Sequence, residues 1–293
     1  MRRIMVAVAV LTVALGLISV AHADLTYILK GHGEVTPPVE DPEVPADSWQ
    51  RAYLADHKWR RDQFFSDPAE GGDPVMSVIR LDEDELSITL DWERKKAYIV
   101  KDELFEQLAE MMAQIEEVLK QLPAGTPMPP AAQAFLSATK PEVTVQIEGP
   151  LAEGTVLDLS CKQYRQVVEV KDQAEGGYWG HTIETTEQWL TEDLEFPEAD
   201  RDIDSWDATR HGEMYRQAYD EAIAGLDMPV GFPAKVQGVT QDLVANTQTV
   251  AHWEMTSYSQ DALDDSLFEV PEGFTVQETG VQDALTPPAK GEE

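Results

Sequence analysis

Along most of this chain apolar and polar residues alternate with period two, and that rhythm constrains the fold more than any other feature. Leu86, Ile88 and Leu90 alternate with Ser87, Thr89 and Asp91. Such a segment puts an apolar row on one side of a pleated ribbon and a polar row on the other, as a half-buried antiparallel strand requires. The mature chain begins with a strand, "LTYILKG". "SWQRAYLADHKWRRDQFF" reads as a hairpin turning at Ala55 to Lys58, and Val75 to Val100 as three strands with turns near Asp82 to Asp84 and Trp92 to Lys95. Strands resume with "VTVQIEG", "CKQYRQVVEV", a long segment from Tyr178 to Glu192, and a final hairpin of "GFPAKVQGVTQD" and "TQTVAHWEMTSYS". In the last of these Ala251, Trp253 and Met255 share one side, and His252, Glu254 and Thr256 the other.

Two stretches change period. From Asp102 to Leu122 the residues Leu104, Leu108, Met111, Ile115 and Leu119 form one stripe, an amphipathic helix opened by an acid and stopped by Pro123. Ala208 to Asp227 reads as a second helix, interrupted early by Gly212. Ten or more strands against two helices, with no regular β-α-β alternation, argue against a doubly wound parallel sheet. The expected fold class is α+β. A large antiparallel sheet curls because strands twist, giving an unclosed half-barrel wrapped around the two main helices. One domain over 24–293 is expected, with Pro-rich insertions at 36–47 and 123–141. Near the C-terminus, "DDSLFEVPEGFTV" places two large apolar residues in a segment too short for a helix or a good strand. It reads as a terminal latch: Leu267 and Phe268 plug the apolar edge of the sheet, Pro271 prevents further pairing and Gly273 turns the chain back.

Several pieces in order, "ADHKWRRD", "VIRLDEDELSITLDWERKKAYIV", "CKQYRQVVEV", "EQWLTEDL", "GFPAKV" and "SLFEVPEGF", span most of the mature chain. With that tail, the chain resembles a bacterial family of unknown function in the superfamily of the outer-membrane lipoprotein carrier, the LolA-like fold. The resemblance implies an exported, unclosed antiparallel barrel around helices with an apolar concave cavity. In the carrier branch of that superfamily the cavity holds acyl chains; in another the fold serves as a sensor of envelope stress. It assigns no lid-locking role to Arg60, Arg61 or Arg80.

Compartment and charge narrow the partners. Arg2 and Arg3, an apolar run from Ile4 to Val20 and "AHA" at Ala21 to Ala23 make a secretory signal, with cutting expected after Ala23. The mature protein is expected in the periplasm, or secreted where no outer membrane exists, without stable membrane insertion. The formal charge is −33, from 22 basic and 55 acidic residues, which repels phosphate backbones and makes nucleic acid a poor partner. One cysteine, Cys161, allows no intramolecular disulfide, so the core must be built without covalent staples.

The motifs of catalysis are missing from the sequence: no G-x-S-x-G elbow, no phosphate-cradling glycine loop and no zinc spacing among the histidines. Asp200, Asp202, Asp204 and Asp207 form an acid cluster open to two readings, a solvated loop or a calcium site. Lys58, Arg60 and Arg61 read as edge-strand charges that discourage sheet-to-sheet association, the alternative being a docking patch for an anionic partner. No enzyme activity and no cofactor are expected. The remaining candidates are apolar: Trp59, Met76, Leu90, Met111, Met112, Trp189, Trp253 and Met255 as the lining of a cavity for a hydrophobic or lipid-like ligand. Ten buried methylenes return about 8 kcal/mol against about 4–15 kcal/mol for association, so only a cavity already open, or opened cheaply by the helix after Asp102, binds well. The alternative is an envelope interaction or sensor module with a fully packed core and a protein partner; a hydrolase is the third reading.

Overall fold

A computed structural model describes residues 24–36, 47–121, 140–172, 179–194 and 210–280. The signal segment and its cleavage site, nearly all of both Pro-rich insertions and the acid cluster at 200–207 lie outside the described residues. Twelve strands form one open sheet: β1 (Leu25–Thr36), β2 (Asp47–Ala55), β3 (Lys58–Phe64), β4 (Met76–Leu81), β5 (Leu86–Asp91), β6 (Lys96–Lys101), β7 (Glu142–Val156), β8 (Leu159–Lys171), β9 (His181–Thr191), β10 (Phe232–Asp242), β11 (Thr247–Ser259) and β12 (Thr275–Glu278). Helix α1 (Asp102–Lys120) follows β6, and α2 (Arg210–Ile223) lies between β9 and β10. The order across the sheet is β12-β6-β5-β4-β3-β2-β1-β11-β10-β9-β8-β7. Pairing β1 with β11 joins the N-terminal meander to the C-terminal one, and every pair is antiparallel except β12 with β6.

The turns obey local chemistry. His57, Glu85, Lys95 and Asn246 each carry a positive φ at the tip of a two-strand connection, the conformation that lets a tight turn follow the twist of its strands. The open edges are blunted. β12 has four residues, all exposed. β7 is fifteen residues long but carries Pro150, three glutamates and a bulge between Glu148 and Ala152, features that discourage a further strand from adding.

Directly paired residues share a side of an antiparallel ladder, so register sorts the side chains into two faces. Leu29, Ala52, Trp59 and Arg80 lie on what we term the front; Ala55, Arg60, Ile79, Ile88, Leu90 and Ala97 lie on the back. The two halves of the sheet bury opposite faces. Over β3 to β6 the back is buried: Ala55, Ile79, Ile88, Leu90 and Ala97 pack with Phe268 from the C-terminal segment, and Leu263, Leu267, Val270 and Phe274 surround it. Over β7 and β8 the front is buried: Val145, Val168 and Val170 pack beneath Tyr215, Tyr219, Ala222 and Ile223 of α2. Between these two regions Leu25, Leu29, Phe232, Ala234 and Met255 cluster with Val156, Leu159 and Cys161 from the tip of the β7–β8 hairpin. The sheet bends to bring them together. Tyr258 of β11 donates to Asp158 in that hairpin's turn at 2.8 Å, although β11 and β8 stand three strands apart, about 14 Å on a flat sheet at ~4.8 Å per strand. A bulge that makes Ala234 the extra residue of β10 supplies part of the bend.

Three expectations are corrected. The sheet is not wrapped around two helices. α2 covers only its end of the front, and α1 stands beyond β6 with Asp102 and Leu104 buried but Ile115 43% and Val118 63% exposed. The reason is competition: the apolar back of β3 to β6 is already filled by the tail, while α1 carries six acids that favour water. The latch itself forms as a 3-10 turn at Asp265–Phe268 with Phe268 4% exposed, and Gly273 turns the chain at φ 87. Pro271 does not end pairing, because four residues later the chain adds β12 alongside β6. Finally, β3 is an interior strand between β2 and β4, so Lys58, Arg60 and Arg61 do not guard an edge.

Candidate functional site

The basic residues of β3 and β4 tie two segments to the sheet, the C-terminal tail and α1. Lys58 pairs with Asp265, and its ammonium lies 4.8 Å from the centre of the Phe268 ring. Arg60 donates to the Leu267 carbonyl at 2.9 Å and to Asp62 at 2.7 Å, with Arg60 and Asp62 both buried. Its guanidinium also lies 5.8 Å from the rings of Tyr53 and Trp92. A buried cation that is hydrogen-bonded, paired and set against aromatic faces is the arrangement in which arginine tolerates desolvation. On the front, Arg80 clamps Asp102, the first residue of α1, through two bonds of 2.5 and 2.6 Å, and donates to Asp82 at 2.9 Å. The Asp102 carboxylate holds the Arg80 guanidinium above its ordinary pKa. An acid there also complements the positive end of the helix.

The expected cavity lining does not come together. Trp189, Trp253 and Met255 meet at the central cluster. The Trp253 indole occupies the space a side chain would take at Gly31, and Trp189 does the same at Gly154. Leu90 lies on the opposite face beneath the tail. Trp59 is buried on the front under the Arg61 guanidinium, 5.2 Å from its ring. Met76 is 41% exposed at the start of β4, Met111 is half-buried on α1, and the Met112 side chain lies outside those described. A cleft of about 190 Å³ opens between α1, β6 and β12, lined by Ile99, Lys101, Leu104, Gln107 and Glu278. None of the eight expected residues borders it.

The front of β8 to β10 carries a feature the sequence does not advertise. Gln166, Thr186, Gln188 and Thr240 are buried there, Gln166 donating to Tyr219 of α2 at 3.0 Å and Thr186 to Glu184 at 3.2 Å. The segment "ETTEQ" is polar in both of its rows, so periodicity cannot say which row is covered; only sheet register does. Burial pushes the Glu184 carboxyl above its ordinary value, partly opposed by the Thr186 hydrogen bond. A raised carboxylate pKa means the folded protein holds this proton more tightly than the unfolded chain. Stability from this group is therefore complete below the ordinary glutamate value and is lost as pH rises through the raised one. Glu184→Gln should raise the melting temperature at pH 8 and leave it unchanged at pH 4, as read by thermal melts across that range. A lower melting temperature at pH 8 would contradict the assignment.

Cys161 is buried and donates weakly to the Leu159 carbonyl at 3.5 Å. Burial pushes its thiol up, away from the thiolate that nucleophilic chemistry needs. Among the described residues no group of three His, Cys, Asp or Glu side chains is placed to hold a metal ion, and no helix is long and apolar enough to cross a membrane.

No protein-family model matches the chain, and no curated protein matches it. Among solved structures it is similar to PNGF-II in its P21 space group, at 10% identity and a TM-score of 0.36, over 89% of this chain and 32% of that one. The C2 form of PNGF-II matches at 11% identity and a TM-score of 0.34, over 88% of this chain and 31% of that one. The chain therefore spans about a third of the length of the solved chains it matches.

Proposed function

We propose that this is an exported, non-catalytic interaction module of the cell envelope, LolA-like in class, that recognises a protein partner rather than carrying lipid. The observation that supports this reading is Phe268: the broad apolar back of β3 to β6 is occupied by the chain's own tail. The cleft beside α1, about 190 Å³, falls below the ~300–1,000 Å³ of ordinary small-molecule sites. An acyl chain would first have to displace Phe268 and its Arg60 and Lys58 anchors, a cost added to the ~4–15 kcal/mol of association. Open apolar groups lie instead on the outside of α1, at Ile115 and Val118. The charge of −33 favours a partner with a basic surface, met at a rate that falls with salt.

Purification of the mature protein from its natural compartment, followed by organic extraction, should yield no lipid and no uptake of a hydrophobic dye. Cross-linking before lysis should recover a protein partner whose yield drops at high salt. Stoichiometric lipid in the extract would overturn the reading in favour of carriage.

A further inference from the structure

We propose that α1 is a docking element for an amphipathic helix of a partner protein, one that carries an apolar stripe, a large uncharged side chain at one end and lysine or arginine along one flank. The inference rests on the reading of this chain as a protein-interaction module and assigns that interaction to one element.

The spacing of α1 is that of a helix that meets another helix. Leu104, Leu108, Met111, Ile115 and Val118 follow one another at intervals of four, three, four and three residues, the rhythm of knobs that enter holes on a facing helix. At about 100° per residue all five fall within about 40° of one line. The fold covers only the start of that line. Leu104 is 7% exposed, Leu108 and Met111 are half-buried, and Ile115 and Val118 are 43% and 63% exposed.

Charge selects the occupant. Glu103, Glu106, Glu110 and Glu117 run along one flank, about 100–160° from the stripe, and all four are exposed. Among the described residues none of them pairs with a cation; Glu103 and Glu117 accept from Gln107 at 3.0 Å and Gln121 at 3.2 Å. The opposite flank, Phe105 and Leu119, is apolar. A second copy of α1 would bring its own acid row to the interface, to meet either like charge or that apolar flank, and like charges set side by side are costly. A basic flank would instead pair with this one.

The stripe also starts at a cavity. Leu104 lines the cleft of about 190 Å³ between α1, β6 and β12, together with Ile99, Lys101, Glu103 and Glu278. Acids and a lysine both border it, so an uncharged anchor suits it. A space of that size takes one side chain of a docking helix. An anchor seated in a pocket at one end of an apolar stripe is how binding energy concentrates in helix-in-groove recognition. From Leu104 to Val118 the stripe spans about 21 Å, so the partner helix is about four turns long.

The probe is a labelled synthetic helix of about 18 residues with a leucine stripe, tryptophan at one end and lysine along one flank, titrated with the mature protein by fluorescence anisotropy. One control peptide shuffles the same residues so that the stripe is lost; the other replaces each lysine by glutamate. The first peptide should bind at least tenfold more tightly than either control. The double variant Ile115→Gln, Val118→Gln should bind it at least tenfold more weakly. The triple variant Glu106→Gln, Glu110→Gln, Glu117→Gln, altered only at exposed positions, should bind more weakly and with a flatter salt dependence. The proposal is overturned if the shuffled peptide binds equally, which would make the attraction charge alone, if the glutamate peptide does, or if the variants bind as the parent does. It is also overturned if no peptide binds, whether because sedimentation shows α1 taken up by a second copy or because the chain's own residues cover it. A partner still recovered by cross-linking when the peptide fails would leave the interaction reading standing and sink only its assignment to α1.

Discussion

Arg80→Met should destabilise the protein by about 3–5 kcal/mol, the cost of leaving buried charge without its counterion. The Arg80 and Asp102 side chains are only 6% and 11% exposed, and Asp82 4%, so water cannot replace the lost guanidinium. The effect should also reach α1. Asp102 is its first residue, and its backbone N–H is tied to the Glu85 carbonyl at 2.8 Å. With little else of α1 packed, loss of the Arg80 clamp should fray the helix. Urea unfolding would report the stability change, and far-UV circular dichroism below the transition would report the fraying. The double variant Arg80→Met, Asp102→Leu should recover much of the loss, since a buried pair removed whole is nearly neutral. A midpoint for the single variant within about 1 kcal/mol of the parent would mean that the pair is solvated, contrary to the packing described here.

Phe268→Ala should cost about 3–5 kcal/mol, the range for truncating a buried aromatic residue in a core that cannot collapse around the gap. The lining of that gap comes from β-strand side chains at Ile79, Ile88, Leu90 and Ala97, whose positions the ladder holds. The variant should also take up a hydrophobic dye that the parent excludes, because the back of β3 to β6 loses its cover. These two readouts separate packing from anchoring. Arg60→Met leaves Phe268 intact but removes the bond to Leu267 and strands Asp62; it should lower stability without opening so large an apolar surface. A Phe268→Ala protein as stable as the parent would show that the tail is not part of the core.

Much of the sheet is legible in local pattern, for a physical reason that also limits it. Period two names a strand and pairs its residues into rows. It worked where one row is plainly apolar, as in Leu86, Ile88 and Leu90, and it put turns at Ala55 to Lys58, near Asp82 to Asp84 and near Trp92 to Lys95, where His57, Glu85 and Lys95 take or adjoin the positive φ. The tail was legible too, because Leu267 and Phe268 have no use in a solvated segment. The helices were legible as helices. Their packing was not, because amphipathicity states that a stripe prefers cover without stating what provides it.

The chain's own order of residues thus determines which segments pleat, where they turn, and that the apolar pair Leu267–Phe268 seeks cover, which Phe268 finds in full. The tertiary structure alone decides which row is buried. β8 shows it most clearly: Leu159 and Cys161 are buried at one end, and Gln166, Val168 and Val170, from the opposite row, at the other. Cover is supplied by distant segments, as when Arg60 bonds Leu267 across 207 residues of sequence. Closing such a contact depends on how the whole sheet bends, and no window of neighbouring residues contains that information.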